Sequence, residues 1–253
     1  MTWLLDLDGV VWLGEDPIAG SSAAIARLRG ELGERVVFLT NNSSATVAEY
    51  LAKLERCGIP TGKEDLITSA QAAASLARSG ETVLVCAGPG VDEALRARGV
   101  TTVREGPADA VVVGWHRDFD FARLTAAFDA VHGGARLIGT NDDATYPTPD
   151  GPLPGGGSIL AAVAYASGVE PVVAGKPFAA MVELLRARVE DPELMVGDRP
   201  STDGAFAVAL GVPFGLVLSG VTSRDGPPRD PQPASVASDL AALVDQRYGV
   251  GST

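Results

Sequence analysis

Lysine is scarce in this chain: Lys53, Lys63 and Lys176 stand against seventeen arginines. The formal net charge is −12. The arginine bias reads as genomic, whereas the negative charge argues against nucleic acid or an anionic membrane as a partner. Cysteine is scarce too. Cys57 and Cys86 are far apart and lack metal-ligand spacing, so they read as buried thiols in a reducing compartment. Long apolar runs are missing, since none reaches the ~18 residues of a membrane-spanning helix. No signal peptide stands ahead of the first apolar stretch, and the expected location is the cytoplasm. The acidic balance leaves a phosphate substrate open, because a metal and one lysine reverse the field locally. What is present is ordinary for a globular protein: 253 residues, 46% of them hydrophobic and 21% charged. That suffices for a sizeable core in one or two domains.

The chain is organised around Leu4-Leu5-Asp6-Leu7-Asp8-Gly9. The apolar run from Trp3 predicts a buried strand. Strand side chains alternate, so Asp6 and Asp8 share a face if the strand continues through both. Gly9 lets the chain turn away at once. In open parallel sheets, sites form at the carboxyl edge. Two acids there repel unless a cation or a proton sits between them. The pattern suits a divalent metal beside a carboxylate nucleophile, and equally a strand that ends in an Asp-Gly turn.

Val10–Gly20 reads as a short flap, and Ser21 and Ser22 as caps of the helix that follows. Arg35–Leu39 predicts a second buried strand, which runs into Thr40-Asn41-Asn42-Ser43-Ser44. Thr46 and Glu49 have capping-box spacing for a helix stopped by Gly58. This strand–loop–helix unit offers hydroxyls, amides and backbone N–H groups to an anion. Glu64–Ser79 reads as an alanine-rich helix. From residue 80 the pattern restarts, with strands at 82–86, 110–114 and 136–139 and helices at 91–98, 119–132 and 158–167. Alternation of this kind signals an α/β unit with its own sheet. Between them, 140–157 is a long Gly/Pro-rich loop carrying Asn141, Asp142, Asp143 and Tyr146; loops of this length are often functional. The first pattern returns with a strand at 171–174 and Gly175-Lys176-Pro177. A strand at 194–196 follows, leading to Gly197-Asp198-Arg199 with Thr202-Asp203, then a helix at 205–210 and a strand at 213–218. Residues 223–233 read as a loop and 236–247 as a terminal helix.

Four strand ends thus carry polar loops: Asp6/Asp8, Thr40/Asn41, Lys176 and Asp198/Asp203. In that order the motifs resemble the haloacid dehalogenase superfamily of phosphohydrolases. They look most like its branch of p-nitrophenylphosphatase-like, glycerol-phosphate and pyridoxal-phosphate phosphatases. The resemblance implies an α/β fold, a Rossmann-like three-layer core with a parallel sheet and an inserted α/β cap. It implies a phosphatase of small phosphorylated metabolites. Asp6 would attack phosphorus, and Asp8 would protonate the leaving alkoxide and then deprotonate water. Asp6, the main-chain oxygen of Asp8 and Asp198 would hold Mg²⁺. Asp203 would support the metal waters or orient Lys176. Thr40, Asn41 and Asn42 would hold the phosphoryl oxygens, and Lys176 would neutralise charge. The cap loop would bring Asn141, Asp142 and Tyr146 to the substrate. Relatives often dimerise through the cap, so the resemblance allows a homodimer through the cap and leaves the oligomeric state open. Gly204 and Ala207 depart from the family pattern at packing positions, away from the chemistry.

Spacing places the cap. Asp8 to Thr40 has room for one flap and one helix, whereas 135 residues separate Thr40 from Lys176. The core is therefore expected at 1–79 and 171–253 and the cap at 80–170. A haloalkanoate dehalogenase would have no use for Asp8, a phosphomutase usually places its cap in the first gap, and a binding-only relative would lose Asp6, Asp8 or Lys176. Tyr146 stands where pyridoxal-phosphate phosphatases bring a histidine. That favours a polyol or sugar phosphate such as glycerol phosphate over pyridoxal phosphate, with phosphoglycolate as a further alternative.

Overall fold

Alternation of apolar side chains decides the first sheet. In the strand Thr2–Asp6, Trp3 and Leu5 join one apolar cluster and Leu4 another; in Arg35–Thr40, Val36 and Phe38 face one way, Val37 and Leu39 the other. Both strands therefore need cover on both faces, which in parallel sheets comes from helices. The computed structural model describes residues 1–148, 150–222 and 230–249. It places these two strands in the middle of a six-stranded sheet ordered Ser235–Ala237, Phe214–Val217, Pro192–Gly197, Thr2–Asp6, Arg35–Thr40, Leu66–Thr68. Every pairing is parallel. Leu5 is in register with Phe38 on one side and Val196 on the other. Asp6, Thr40 and Asp198 consequently emerge together at the carboxyl edge.

The second sheet is also parallel, in the order Val172–Val173, Arg136–Gly139, Ala110–Val113, Thr82–Cys86, Thr101–Val103. The strand expected at 171–174 with the first pattern joins this sheet instead. Val172–Val173 pairs with Ile138–Gly139 in the second sheet, and the Ala174 N–H donates to the Gly139 carbonyl at 2.9 Å, so that sheet extends past residue 170. The sequence pattern cannot show this, because a two-residue apolar strand suits either sheet.

Three other readings change. Leu66–Thr68, expected to be helical, is the edge strand beside Phe38–Thr40. Pairing overrides local pattern here, and Thr68 then opens the helix Ser69–Ser75 through a capping box with Gln71. Ser235–Ala237 is likewise a strand, and the last helix starts later, at Leu240–Tyr248, capped by Asp239. Ser21 does not cap its helix: its hydroxyl donates to the Val10 carbonyl at 2.8 Å. The expected capping box of Thr46 and Glu49 is present. Within the loop expected at 223–233, residues 223–229 lie outside the described residues.

Ala70, Ala72, Ala73, Ala74 and Ala77 are all buried, in one apolar cluster with Leu39 and Ile67 of the first sheet and Val83 and Val85 of the second. Small side chains let the helix Ser69–Ser75 lie between its neighbours, and the two units share apolar packing. Cys57 and Cys86 are both free thiols. Among the described residues no helix is long and apolar enough to cross a membrane.

Candidate active site

Asp6 ends its strand, buried at the carboxyl edge of the first sheet. Gly9 turns the chain with φ +89°, and a Cβ there would lie 2.5 Å from Asp198 Oδ2. The position therefore demands glycine for both conformation and space. Asp198 follows Pro192–Gly197, and its Oδ2 accepts the Val221 N–H at 2.5 Å. Asp203 lies in the π-helical turn Pro200–Gly204, where its Oδ2 accepts the Arg199 N–H at 3.1 Å. The bare Gly197 makes this approach possible, because a Cβ there would be 2.2 Å from Asp203 Cγ.

Lys176 reaches into this cluster. It is 1% exposed, and its Nζ donates to Asp6 Oδ1 and to Asp203 Oδ1, each at 2.6 Å. Carboxylate oxygens of Asp6, Asp198 and Asp203 lie within 4.8 Å of one another. Burial lifts the Asp6 carboxyl well above its usual range; Lys176 opposes the rise, and Asp203, Asp198 and Asp8 add to it. Burial, helped by Asp203, pushes Asp198 up to about 7. Burial alone would depress the Lys176 ammonium, but Asp203 and Asp6 outweigh it and hold it above an ordinary lysine. Three buried carboxylates around one ammonium leave negative charge uncompensated. A hard divalent cation such as Mg²⁺ fits this oxygen-only set.

Asp8 faces elsewhere. Its Oδ1 accepts from Trp12 Nε1 at 3.1 Å and from the Tyr146 hydroxyl at 3.0 Å. Burial raises its carboxyl, and the hydrogen bond from Tyr146 is the first of the opposing effects. Tyr146 stacks on Trp115, with ring centroids 4.9 Å apart.

The loop after Thr40 is largely occupied with itself and with Lys176. Thr40 Oγ1 accepts the Asn42 N–H at 3.0 Å. Asn42 Oδ1 accepts from the Ser44 N–H and hydroxyl at 3.1 and 2.7 Å. Asn41 Oδ1 accepts the Lys176 N–H at 2.8 Å, and its Nδ2 donates to the Lys176 carbonyl and to Asp143 Oδ2, both at 3.0 Å. Its side chain is thus a clamp on the lysine segment.

The long loop also departs from expectation. Asn141, 3% exposed, donates from Nδ2 to the Asn41 carbonyl at 2.6 Å. It ties two loops together. Its Oδ1 accepts the Asp143 N–H at 3.1 Å, a local turn of the kind asparagine favours. That turn sends Asp143 inward and leaves Asp142 exposed, along a groove with Tyr165 and Glu183. Asp142 is therefore not part of the pocket, and Asp143 replaces it. Arg199 reaches across to Asp143 Oδ1 at 3.3 Å and to the Thr145 carbonyl at 3.4 Å. The pocket brings together Asp6, Asp8, Thr40, Asn41, Asn42, Asn141, Tyr146, Lys176, Asp198 and Asp203, as expected, and adds Trp115, Asp143 and Arg199. Adjacency to Asn141 and Asp198 was the available signal for Asp143 and Arg199. Trp12 lies in the expected flap and Trp115 between an expected strand and helix, and neither carried a further signal.

A family model described as haloacid dehalogenase-like hydrolase matches residues 3–101, and a second HAD-like hydrolase model matches 173–243. The D-glycerol 3-phosphate phosphatase of Mycobacterium tuberculosis is 37% identical over 250 residues, covering 95% of this chain and 70% of that protein. The crystal structure of the glycerol phosphate phosphatase from that organism in complex with magnesium superimposes with a TM-score of 0.84 at 36% identity. It covers 96% of this chain and 75% of the other. A p-nitrophenyl phosphatase from Archaeoglobus fulgidus gives 0.87 at 31% identity, covering 97% and 98%. Matches of this extent, over a carboxyl-edge site of this composition, mean that the chain belongs to the haloacid dehalogenase-like hydrolases.

Proposed function

We propose that this protein is a Mg²⁺-dependent phosphatase of small phosphomonoesters, with a polyol or sugar phosphate such as glycerol phosphate as substrate. The observation that carries the reading is the buried Lys176 ammonium shared by Asp6 and Asp203, with Asp198 alongside. Asp6 attacks phosphorus: a bond forms from its carboxylate oxygen as the ester P–O bond breaks, giving an aspartyl-phosphate. Asp8 gives its proton to the departing alkoxide and later takes one from the water that hydrolyses the intermediate. Lys176 keeps Asp6 oriented and offsets charge, since phosphoryl transfer needs mainly positioning and charge stabilisation. Thr40 and the backbone N–H of Asn41 are offered to the transferring oxygens, the Asn42 N–H being given to Thr40 Oγ1. Asp6, Asp198 and the Asp8 main-chain oxygen would hold Mg²⁺, which when bound would supply further positive charge to the site.

We place the cap at about 80–173, with its loop 141–157 over the pocket. The side chain of Asn141 serves as a tie rather than a substrate contact, and Tyr146 and Asp143 are the cap's polar contributions. The glycerol phosphate phosphatase relatives support the substrate class, and the acidic charge and two free cysteines support a cytoplasmic small-molecule enzyme. The test is phosphate release from a panel of phosphorylated metabolites with Mg²⁺. Polyol and sugar phosphates should lead the ranking by kcat/KM, and Asp6→Asn should release no phosphate from any of them. Turnover by Asp6→Asn would sink the nucleophile assignment; a ranking led by pyridoxal phosphate would replace the substrate class.

A further inference from the structure

Both donors that reach Asp8 end on the same oxygen. Trp12 Nε1 comes from the flap at 3.1 Å, and the Tyr146 hydroxyl from the second unit at 3.0 Å, both to Oδ1. An indole N–H can only donate, so Oδ1 is fixed as an acceptor, and a carbonyl-type oxygen has two lone pairs to give. Both are used. Among the described residues no hydrogen bond to Oδ2 is present, and Asp8 lines the pocket.

Each donor is itself held in place. The Trp12 ring is buried under the Lys53 ammonium, which lies 4.4 Å from its centroid. Tyr146 is stacked on Trp115, whose Nε1 donates to the Pro154 carbonyl at 2.9 Å. A chain of contacts therefore runs from the paired segments Thr145–Tyr146 and Leu153–Pro154 through Trp115 to the carboxyl group of Asp8.

We infer that Tyr146 is a positioning residue for the reaction: from the cap it fixes Asp8 Oδ1, and so presents Oδ2 to the leaving-group oxygen. The inference rests on the reading of Asp8 as the proton donor. Trp12 belongs to the same unit as Asp8 and is always at hand. Tyr146 arrives from the other unit, so the second anchor exists only when the two units are together. The contact thereby links the place of the second unit to the chemistry and not only to substrate choice. A tyrosine that merely touched the leaving group would bear on recognition alone.

The two roles separate by leaving-group dependence. Ring-substituted phenyl phosphates keep one size and shape while the pKa of the departing phenol varies. Proton donation matters most for the poorest leaving group and least for p-nitrophenolate. The quantity to measure is kcat/KM, which for a two-step phosphatase reports the steps through leaving-group departure. Tyr146→Phe removes only the hydroxyl and keeps the ring on Trp115. Its plot of log kcat/KM against leaving-group pKa should be steeper than wild type. General-acid catalysis contributes ~10²–10⁴, and loss of one of two anchors should forfeit about tenfold with unsubstituted phenyl phosphate and under about twofold with p-nitrophenyl phosphate. Asp8→Asn sets the limiting slope. Trp12→Phe, which removes the other donor, should steepen the plot in the same sense. Parallel plots, whether lowered or coincident, for Tyr146→Phe overturn the inference, and an unchanged slope in Trp12→Phe overturns the claim that Oδ1 is the anchored oxygen. A fully active Asp6→Asn would instead remove the phosphatase reading beneath it, and is distinguishable from either result.

Discussion

Asn41 grips the main chain of Lys176 at both ends: its Oδ1 accepts the lysine N–H at 2.8 Å while its Nδ2 donates to the lysine carbonyl at 3.0 Å. The ammonium at the far end of that residue bridges Asp6 and Asp203. A loop residue thereby sets the position of the buried charge.

Asn41→Ala should lower kcat about tenfold to a hundredfold, the range for loss of a positioning partner. Stability should fall by about 1–3 kcal/mol, because buried backbone groups of the lysine segment lose their partners. Steady-state kinetics and denaturant unfolding measure the two effects. Wild-type kcat in this variant would mean that Lys176 holds its place without the clamp.

Lys176→Ala should cost far more than loss of a surface lysine. Breaking a buried ion pair typically costs about 3–5 kcal/mol, and removing a preorganised charge ~10²–10³ in turnover. Lys63→Ala is the control. Lys53 is not a neutral comparison, because its ammonium lies over the Trp12 ring that bonds Asp8. Similar, small losses for Lys176→Ala and Lys63→Ala would contradict the role given to the buried lysine.

Stability of the chelator-treated protein should fall as pH rises. Asp198 is lifted from an ordinary 3.8 to about 7 in the folded state. The folded chain therefore holds a proton that the unfolded chain releases, and stability falls as pH climbs through that window. Mg²⁺ binds the ionised carboxylates, so the gain in melting temperature on adding Mg²⁺ should grow between about pH 5 and pH 8. A gain independent of pH would place the metal away from Asp198.

Gly220→Ala should weaken Mg²⁺ activation. A Cβ at Gly220 would lie 2.0 Å from Asp198 Oδ2, so the carboxylate has to move. The Mg²⁺ concentration for half-maximal activity should rise about tenfold or more, as displaced metal-site partners generally cause. Gly30→Ala meets nothing within 4 Å and is the control. Equal Mg²⁺ requirements in both variants would show that Asp198 does not need its place beside Gly220.

Much of this protein was legible in one dimension. Strand side chains alternate, so apolar runs that end in polar loops announce the carboxyl edge of a parallel sheet. Asp6, Asp8, Thr40 and Asp198 follow strands of the first sheet, Lys176 follows Val172–Val173 of the second, and Asp203 lies one turn beyond Asp198. Local chemistry also told true at Thr46 and Glu49, whose capping box depends only on spacing along the chain. Strand partnership was not legible. Leu66–Thr68 and Ser235–Ala237 are short apolar pieces that become strands because a neighbour offers hydrogen bonds, and Val172–Val173 goes to the second sheet for the same reason.

The sequence by itself determined which chemical groups stand just after a strand, because apolar runs of strand length and turn residues such as Gly9 are read locally. Only the tertiary structure decided which oxygen each donor meets. It turned Asp143 inward and Asp142 outward, engaged the Asn41 side chain with Lys176, and brought Tyr146 to Asp8, 138 positions away in the chain. Hydrogen bonds are directional over about 3 Å, a precision that exists only once separate elements are packed together.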